Sequence, residues 1–211
     1  MAERRAQKKK GGGASSNTWE DHYTRLARKE GYAARSVYKL KEIQEKFSMI
    51  KKGNRILDLG CAPGSWMQYA AALVGSSGRV WGVDLKAVTI SLPAHVSSFE
   101  GDIYMLPEAL LKEIGTGVDL VMSDMAPDTM GTRSVDALRS LALSEAALAA
   151  ATQVLKGGGH FICKIFQGEG FDSFVAEVRR FFKSQRLFKP QSCRKQSREI
   201  YVIGMEFTGK V

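Results

Sequence analysis

Lys164 stands in the middle of an otherwise apolar run, Phe161-Ile-Cys-Lys-Ile-Phe166. The run reads as a buried strand, and an ammonium inside it is costly unless paired or neutralised. Such a lysine either snorkels its head to solvent at the strand end or, desolvated beside other cations, sheds its proton and works as a general base. Asp124 ends a second apolar run, Asp119-Leu-Val-Met-Ser-Asp124. These two runs are the fourth and fifth strands of the pattern below, and such strands are commonly neighbours. Asp124 and Lys164 are therefore expected on one edge of a sheet.

A third constellation lies upstream, in Ile56-Leu-Asp-Leu-Gly-Cys-Ala-Pro-Gly64. Gly60 and Gly64 permit left-handed backbone angles and close approach of a ligand. The spacing is not the G-x-G-x-x-G of a dinucleotide fold. The acidic Asp58 before the turn would repel a phosphate but suits a cation. S-adenosylmethionine, with its sulfonium and ammonium, is such a ligand; the other use of Asp58 is to cap amides of a tight turn. Two further acids end strands. Asp84 closes Gly78-Arg-Val-Trp-Gly-Val-Asp84, where a carboxylate can accept hydrogen bonds from a ribose diol. Asp102 closes Ser97-Ser-Phe-Glu-Gly-Asp102, where it can take an adenine amino group. Either acid could instead cap a helix.

The elements that must carry these residues follow from periodicity. Arg55 to Trp66 is strand, glycine turn and helix start, the opening unit of a doubly wound sheet whose ligands sit at the carboxyl ends of the strands. Further strands are expected at 78–84, 97–102, 119–124, 160–166, 187–190 and 199–207. Helices are expected at 66–74, at 106–114 with Pro107 in the first turn, at about 134–155 closed by Gly157-Gly-Gly159, and at 171–182. Ahead of the sheet, a helix from Asn17-Thr18 ends at Gly31, and Ser36 is placed to cap a second one with Val37, Leu40, Ile43 and Phe47 as its buried stripe. Residues 1–16 hold almost no bulky apolar side chain and read as a flexible basic arm. The rest, 17–211, reads as one domain with basic helices over 17–50.

The chain of 211 residues carries a net charge of +9, unevenly placed. Residues 1–55 hold 15 Lys/Arg against 6 Asp/Glu, 56–178 hold 7 against 14, and 179–211 hold 9 against 2. An acidic centre between two basic ends suits an enzyme that binds a polyanion. Arg25, Arg28, Lys29 and Arg35, interleaved with Tyr32 and Tyr38, could contact phosphates and stack bases, or form a solvated helical face. No apolar run reaches the roughly 18 residues of a membrane span. The cysteines, Cys61, Cys163 and Cys193, share no metal-ligand spacing and suggest a reducing compartment, the cytoplasm. His22, His95 and His160 sit in no catalytic pattern, so Ser-His and zinc mechanisms are disfavoured; the missing G-x-G-x-x-G disfavours an NAD-dependent dehydrogenase.

With these motifs in place, the chain resembles the FtsJ (RrmJ-type) family of ribosomal RNA ribose 2′-O-methyltransferases. The resemblance rests on Arg35-Ser-Val-Tyr-Lys-Leu40, Asp58-Leu-Gly-Cys-Ala-Pro-Gly-Ser-Trp66, Met122-Ser-Asp-Met-Ala-Pro127, Lys164-Ile-Phe-Gln-Gly-Glu-Gly-Phe-Asp172 and Ser197-Arg-Glu-Ile-Tyr201. It covers nearly everything after residue 17. It implies an α/β, Rossmann-like S-adenosylmethionine-dependent methyltransferase fold: seven strands, mostly parallel, the last antiparallel, with helices on both faces. It implies a Lys39, Asp124, Lys164 and Glu199 tetrad and cofactor contacts at Gly64, Trp66, Asp84, Asp102 and Asp124. It further implies a uridine in the A loop of large-subunit ribosomal RNA as target; an assembled particle is the expected partner, the enzyme is expected to be a monomer, and no metal is required, because the sulfonium is already an activated leaving group. Transfer-RNA or mRNA-cap ribose methylation, and a non-catalytic RNA-binding assembly factor, are the competing readings. Cys61 and Ser65 depart from the residues, Ala and Gly, that bacterial members often have there.

Overall fold

The structure, a computed structural model, describes residues 18–209 except 116 and 195, and only the backbone of 18–21. The expected arm over 1–16 lies outside the described residues. The elements in chain order are α1 (Thr18–Lys29), α2 (Val37–Phe47), β1 (Arg55–Leu59), α3 (Ser65–Val74), β2 (Arg79–Asp84), β3 (Val96–Glu100), α4 (Glu108–Ile114), β4 (Val118–Ser123), α5 (Arg133–Val154), β5 (Leu155–Phe166), α6 (Phe171–Phe181), β6 (Phe182–Phe188) and β7 (Glu199–Phe207).

Seven strands form one sheet in the order β3-β2-β1-β4-β5-β7-β6. The pairings from β3 to β5 are all parallel, and β7 runs antiparallel to both its neighbours. Strand order reverses between β1 and β4, which opens a crevice at their carboxyl ends.

Alternation along the strands divides the core into two layers. Leu57, Leu59, Val121, Phe161, Cys163 and Ile165 pack with Leu110 of α4, Leu148 and Val154 of α5, and Phe174 and Val178 of α6. Ile56, Leu120, Met122, Ile162, Tyr201 and Ile203 face the other way, against Leu40 and Ile43 of α2 and Met67 and Ala70 of α3. Asp58, Asp124 and Lys164 are two residues beyond Ile56, Met122 and Ile162. They therefore continue the rows of this second face.

Helix α2 is fastened above those rows from several sides. Glu42 accepts hydrogen bonds from Gln191 N–H and Ser192 N–H at 2.5 and 2.8 Å. Phe47 meets Phe188 edge-on at 5.6 Å. In α3, Gln68 accepts from Ala33 N–H at 2.9 Å and donates to Gly31 O at 3.2 Å, tying down the link between α1 and α2.

Several local expectations are corrected. Ser36 does not cap α2 with its side chain; its Oγ instead lies 3.0 Å from Ser65 Oγ. Pro107 is extended and precedes α4 rather than joining its first turn. The glycines 157–159 do not close α5. The helix ends at Val154 and β5 begins at once. Because Val118 pairs with Leu155 and Leu120 with His160, the glycines absorb the surplus residues on the β5 side as a bulge. The strand expected at 187–190 starts at Phe182, which replaces the last residue of the expected helix. The Phe182 ring stacks on Phe161 at 6.0 Å and packs on Phe207 at 5.5 Å. Lys183-Ser-Gln-Arg186 between them, on an edge strand, has no apolar alternation to betray it.

Candidate active site

The turn after β1 is held by its neighbour β2. Gly60 N–H and Cys61 N–H both donate to Val83 O, at 2.8 and 3.2 Å. Gly60 has φ +74° and Gly64 φ +112°. A Cβ on Gly60 would collide with Met125 Cγ, and one on Gly64 would lie 2.5 Å from Ile90 Cδ1. The turn thus requires glycine for its backbone angle and for the side chains that lie over it.

Asp84 ends β2, but its carboxylate is already engaged with the turn. Oδ2 accepts from Ala62 N–H and Oδ1 from Lys86 N–H, both at 2.9 Å. Each oxygen keeps a further lone pair for a ligand hydroxyl. Asp102 lies two residues past β3, exposed, with Oδ1 accepting from Tyr104 N–H at 3.0 Å. Gly101 N–H donates to Asp84 O at 2.9 Å, so the ends of β2 and β3 are joined.

Asp58 is 1% exposed, and its Oδ2 has no hydrogen-bond partner. Burial, and then the charges of Asp124 and Asp84, push its carboxyl well above the usual carboxylate range. Asp58, Gly60, Ala62, Ser65, Trp66 and Asp124 line a small cavity of about 50 Å³. An orphaned buried carboxylate oxygen beside a glycine turn fits a cationic group of S-adenosylmethionine. Trp66 lines the same cavity while its indole is committed to packing. Its Nε1–H donates to Ser36 O at 2.9 Å, and its ring stacks on Tyr201 at 6.0 Å.

The four tetrad residues come from four elements and meet in one network. Asp124 follows β4, Lys164 is in β5, Lys39 descends from α2, and Glu199 begins β7. Because β7 is antiparallel, its first residue lies at the carboxyl edge, and Phe166 pairs with Glu199. Lys164 Nζ lies 3.1 Å from Asp124 Oδ1 and donates to Asp124 O at 2.5 Å. Lys39 Nζ lies 3.0 Å from Glu199 Oε2 and 3.5 Å from Asp124 Oδ1. Burial pushes the Lys39 ammonium pKa down, but Asp124 and Glu199 outweigh it, and the net shift is upward. Burial likewise works to raise Asp124, yet Lys164, Lys39 and the Tyr201 hydroxyl hold it below the usual range.

Tyr201 was not among the residues singled out from the sequence. It is fully buried, and its hydroxyl donates to Asp124 Oδ1 at 2.5 Å. Burial, then Asp124 and Glu199, raise its phenol well above the ordinary value. The signal was available: Tyr201 is two residues from Glu199 in a strand, hence on the same face.

The family model for FtsJ-like methyltransferase matches residues 32–207. The chain belongs to the FtsJ-like methyltransferase family. It is 53% identical over 202 residues to the ribosomal RNA large subunit methyltransferase E of Desulfatibacillum aliphaticivorans, covering 96% of each chain. It is 54% identical over 189 residues to the protein of the same name from Desulforapulum autotrophicum, covering 90% of this chain and 93% of that one. A solved Plasmodium falciparum structure described as a ribosomal RNA methyltransferase superposes with a TM-score of 0.74 at 29% identity, covering 85% of this chain and all of that one. The expected FtsJ-like fold, with seven strands and one of them antiparallel, is the one observed. The FtsJ-like family is one of S-adenosylmethionine-dependent methyltransferases, and the small cavity shares Asp124 with the network of Lys39, Lys164 and Glu199.

Proposed function

We propose that this methyltransferase moves a methyl group from S-adenosylmethionine to the ribose 2′-hydroxyl of a uridine in the A loop of large-subunit ribosomal RNA, with Lys164 as the general base. The observation that carries the reading is the joining of two lysines and two carboxylates at the sheet's carboxyl edge, with the unpartnered Oδ2 of Asp58 in the cavity that Asp124 also lines. The names of the relatives favour ribosomal RNA over transfer RNA or an mRNA cap. A non-catalytic assembly factor would have no use for an intact tetrad. The assembled particle as substrate, a monomeric enzyme and a cytoplasmic setting belong to the same proposal; the three cysteines are buried and unpaired, in keeping with a reducing compartment.

When bound, S-adenosylmethionine supplies a methyl carbon already activated by its sulfonium, together with net positive charge. Asp58 and Asp124 hold that charge; Asp84 and Asp102 hold the ribose and adenine; Gly60 and Gly64 let the backbone close on the ligand, with Trp66 forming the wall. Lys39, gripped by Glu199 and Asp124, keeps its proton. Lys164, acting as the neutral amine, receives the proton that the attacking 2′-hydroxyl loses as its oxygen takes the methyl group. Glu199 fixes Lys39, and Asp124 fixes both lysines. Most of the rate gain comes from in-line positioning of the hydroxyl.

Single-turnover methylation of large ribosomal particles, and of protein-free RNA, tests this. Lys164→Ala abolishes transfer while leaving cofactor and RNA binding nearly intact. Lys164→Arg is equally inactive, because a guanidinium does not release a proton in a protein. An active arginine variant overturns the general-base role; equal rates on free RNA and particles overturn the particle as preferred substrate.

A further inference from the structure

Helix α5 carries three buried polar side chains four residues apart: Asp136, Ser140 and Ser144, at 6%, 1% and 1% exposure. Residues four apart form one row along a helix. In a helix rich in alanine and leucine, buried polar groups need partners. All three find them in backbone, Asp136 in the loop that follows Asp124 and the two serines in β5 from Lys164 to Phe166. Asp136 Oδ1 accepts from Met130 N–H at 2.8 Å, in the loop that follows Asp124. Ser140 Oγ accepts from Phe166 N–H at 2.9 Å. Ser144 Oγ lies 3.1 Å from Lys164 O and 2.8 Å from Ser140 O, and shares its proton between them.

The sheet explains why β5 needs this support. The last pair between β4 and β5 is Ser123 with Cys163. Beyond it, β5 continues along β7 alone, through Lys164, Ile165 and Phe166. The peptide groups that face the departed β4 have lost their ladder partners, and such groups must be satisfied elsewhere when buried. The α5 hydroxyls take that place. The loop after β5 closes tightly on the same helix: a Cβ on Gly168 would lie 2.6 Å from Ala137 Cβ.

We propose that Asp136, Ser140 and Ser144 are positioning residues. They clamp the loop after Asp124 and the strand of Lys164 onto one rigid helix, and so set where Lys164 Nζ meets the substrate hydroxyl. The proposal rests on the reading of Lys164 as the base. A serine serving stability alone would show otherwise, because Ser→Ala inside a helix gains helix propensity as it loses a hydrogen bond.

The test uses the full chain with Ser140→Ala and Ser144→Ala, separately and together. Under saturating cofactor and ribosomal particles, single-turnover rates fall about tenfold to a hundredfold, as misplacement of a reacting group by about an ångström would cause. S-adenosylmethionine affinity by calorimetry, and KM for particles, stay near wild type. Ser144→Thr, which keeps the hydroxyl, recovers part of the rate. In Ser140→Ala the Phe166 amide exchanges faster with solvent while that of Ile162 does not; this measurement on the single variant decides the matter if the double variant does not fold. Wild-type rates in the alanine variants, with Lys164→Arg inactive, overturn the clamp and leave the base standing. Rates and affinities that fall in parallel overturn the clamp as well. An active Lys164→Arg removes the base, and with it the purpose of the clamp.

Discussion

Lys164 and Tyr201 are partners across the β5–β7 pair, and both reach Asp124 Oδ1, the ammonium at 3.1 Å and the phenol at 2.5 Å. Lys39 approaches the same oxygen at 3.5 Å from the helix above. One carboxylate oxygen thus sets the geometry of two lysine ammoniums and a buried hydroxyl. It is why a single carboxylate can order a site assembled from four separate elements.

Tyr201→Phe removes a buried hydrogen bond to a charged group, and should lower stability by about 1.5–3 kcal/mol at neutral pH. Asp124 is held below the usual carboxylate range, so its contribution to stability is present above the unfolded value and lost as pH falls through the folded one. Without the Tyr201 donor, that loss begins at higher pH. Denaturant unfolding of both proteins from neutral to acidic pH reads the shift; superimposable acid limbs would mean the phenol does not support the carboxylate.

Asp58→Asn should separate stability from binding. The raised carboxyl of Asp58 makes the folded chain bind more protons than the unfolded one above the usual carboxylate range, so wild-type stability falls as pH rises through that window. Asparagine removes this dependence. The ligand-free variant should therefore melt higher than wild type at neutral pH, yet bind S-adenosylmethionine more weakly by about 1.5–3 kcal/mol. Calorimetric affinity equal to wild type would take Asp58 out of the cofactor site.

Asp84→Ala affects the turn as well as the ligand. Two backbone N–H groups, of Ala62 and Lys86, lose their acceptor. A fall of about 1–3 kcal/mol in the stability of the ligand-free protein is expected, together with weaker cofactor binding. An unchanged melting temperature with weakened binding would assign the carboxylate to the ligand alone.

Charge reversal at Arg25, Arg28, Lys29 and Arg35 should weaken RNA binding and flatten its dependence on salt, because fewer counterions are released per complex. Cofactor affinity should stay the same. An unaltered salt slope in filter-binding titrations would place the RNA elsewhere on the protein.

The amino-acid sequence determined, by itself, the strand–glycine turn–helix that opens the sheet, the acids at the strand ends and the charge out of place at Lys164. These are local facts: alternation, backbone freedom and desolvation act within a few residues of each other. The limits of β6 were hidden because an edge strand faces water on its outer side, and Phe182 takes its place through rings at 161 and 207. Tertiary structure alone decided that Tyr201 completes the network and that Ser140 and Ser144 in α5 fasten β5 where β4 has ended. Bonds between residues 20 to 77 positions apart depend on which strands become neighbours and in which direction. Here that direction is set by β7, inserted antiparallel between β5 and β6, which brings Glu199 and Tyr201 back to the edge where Asp124 and Lys164 stand.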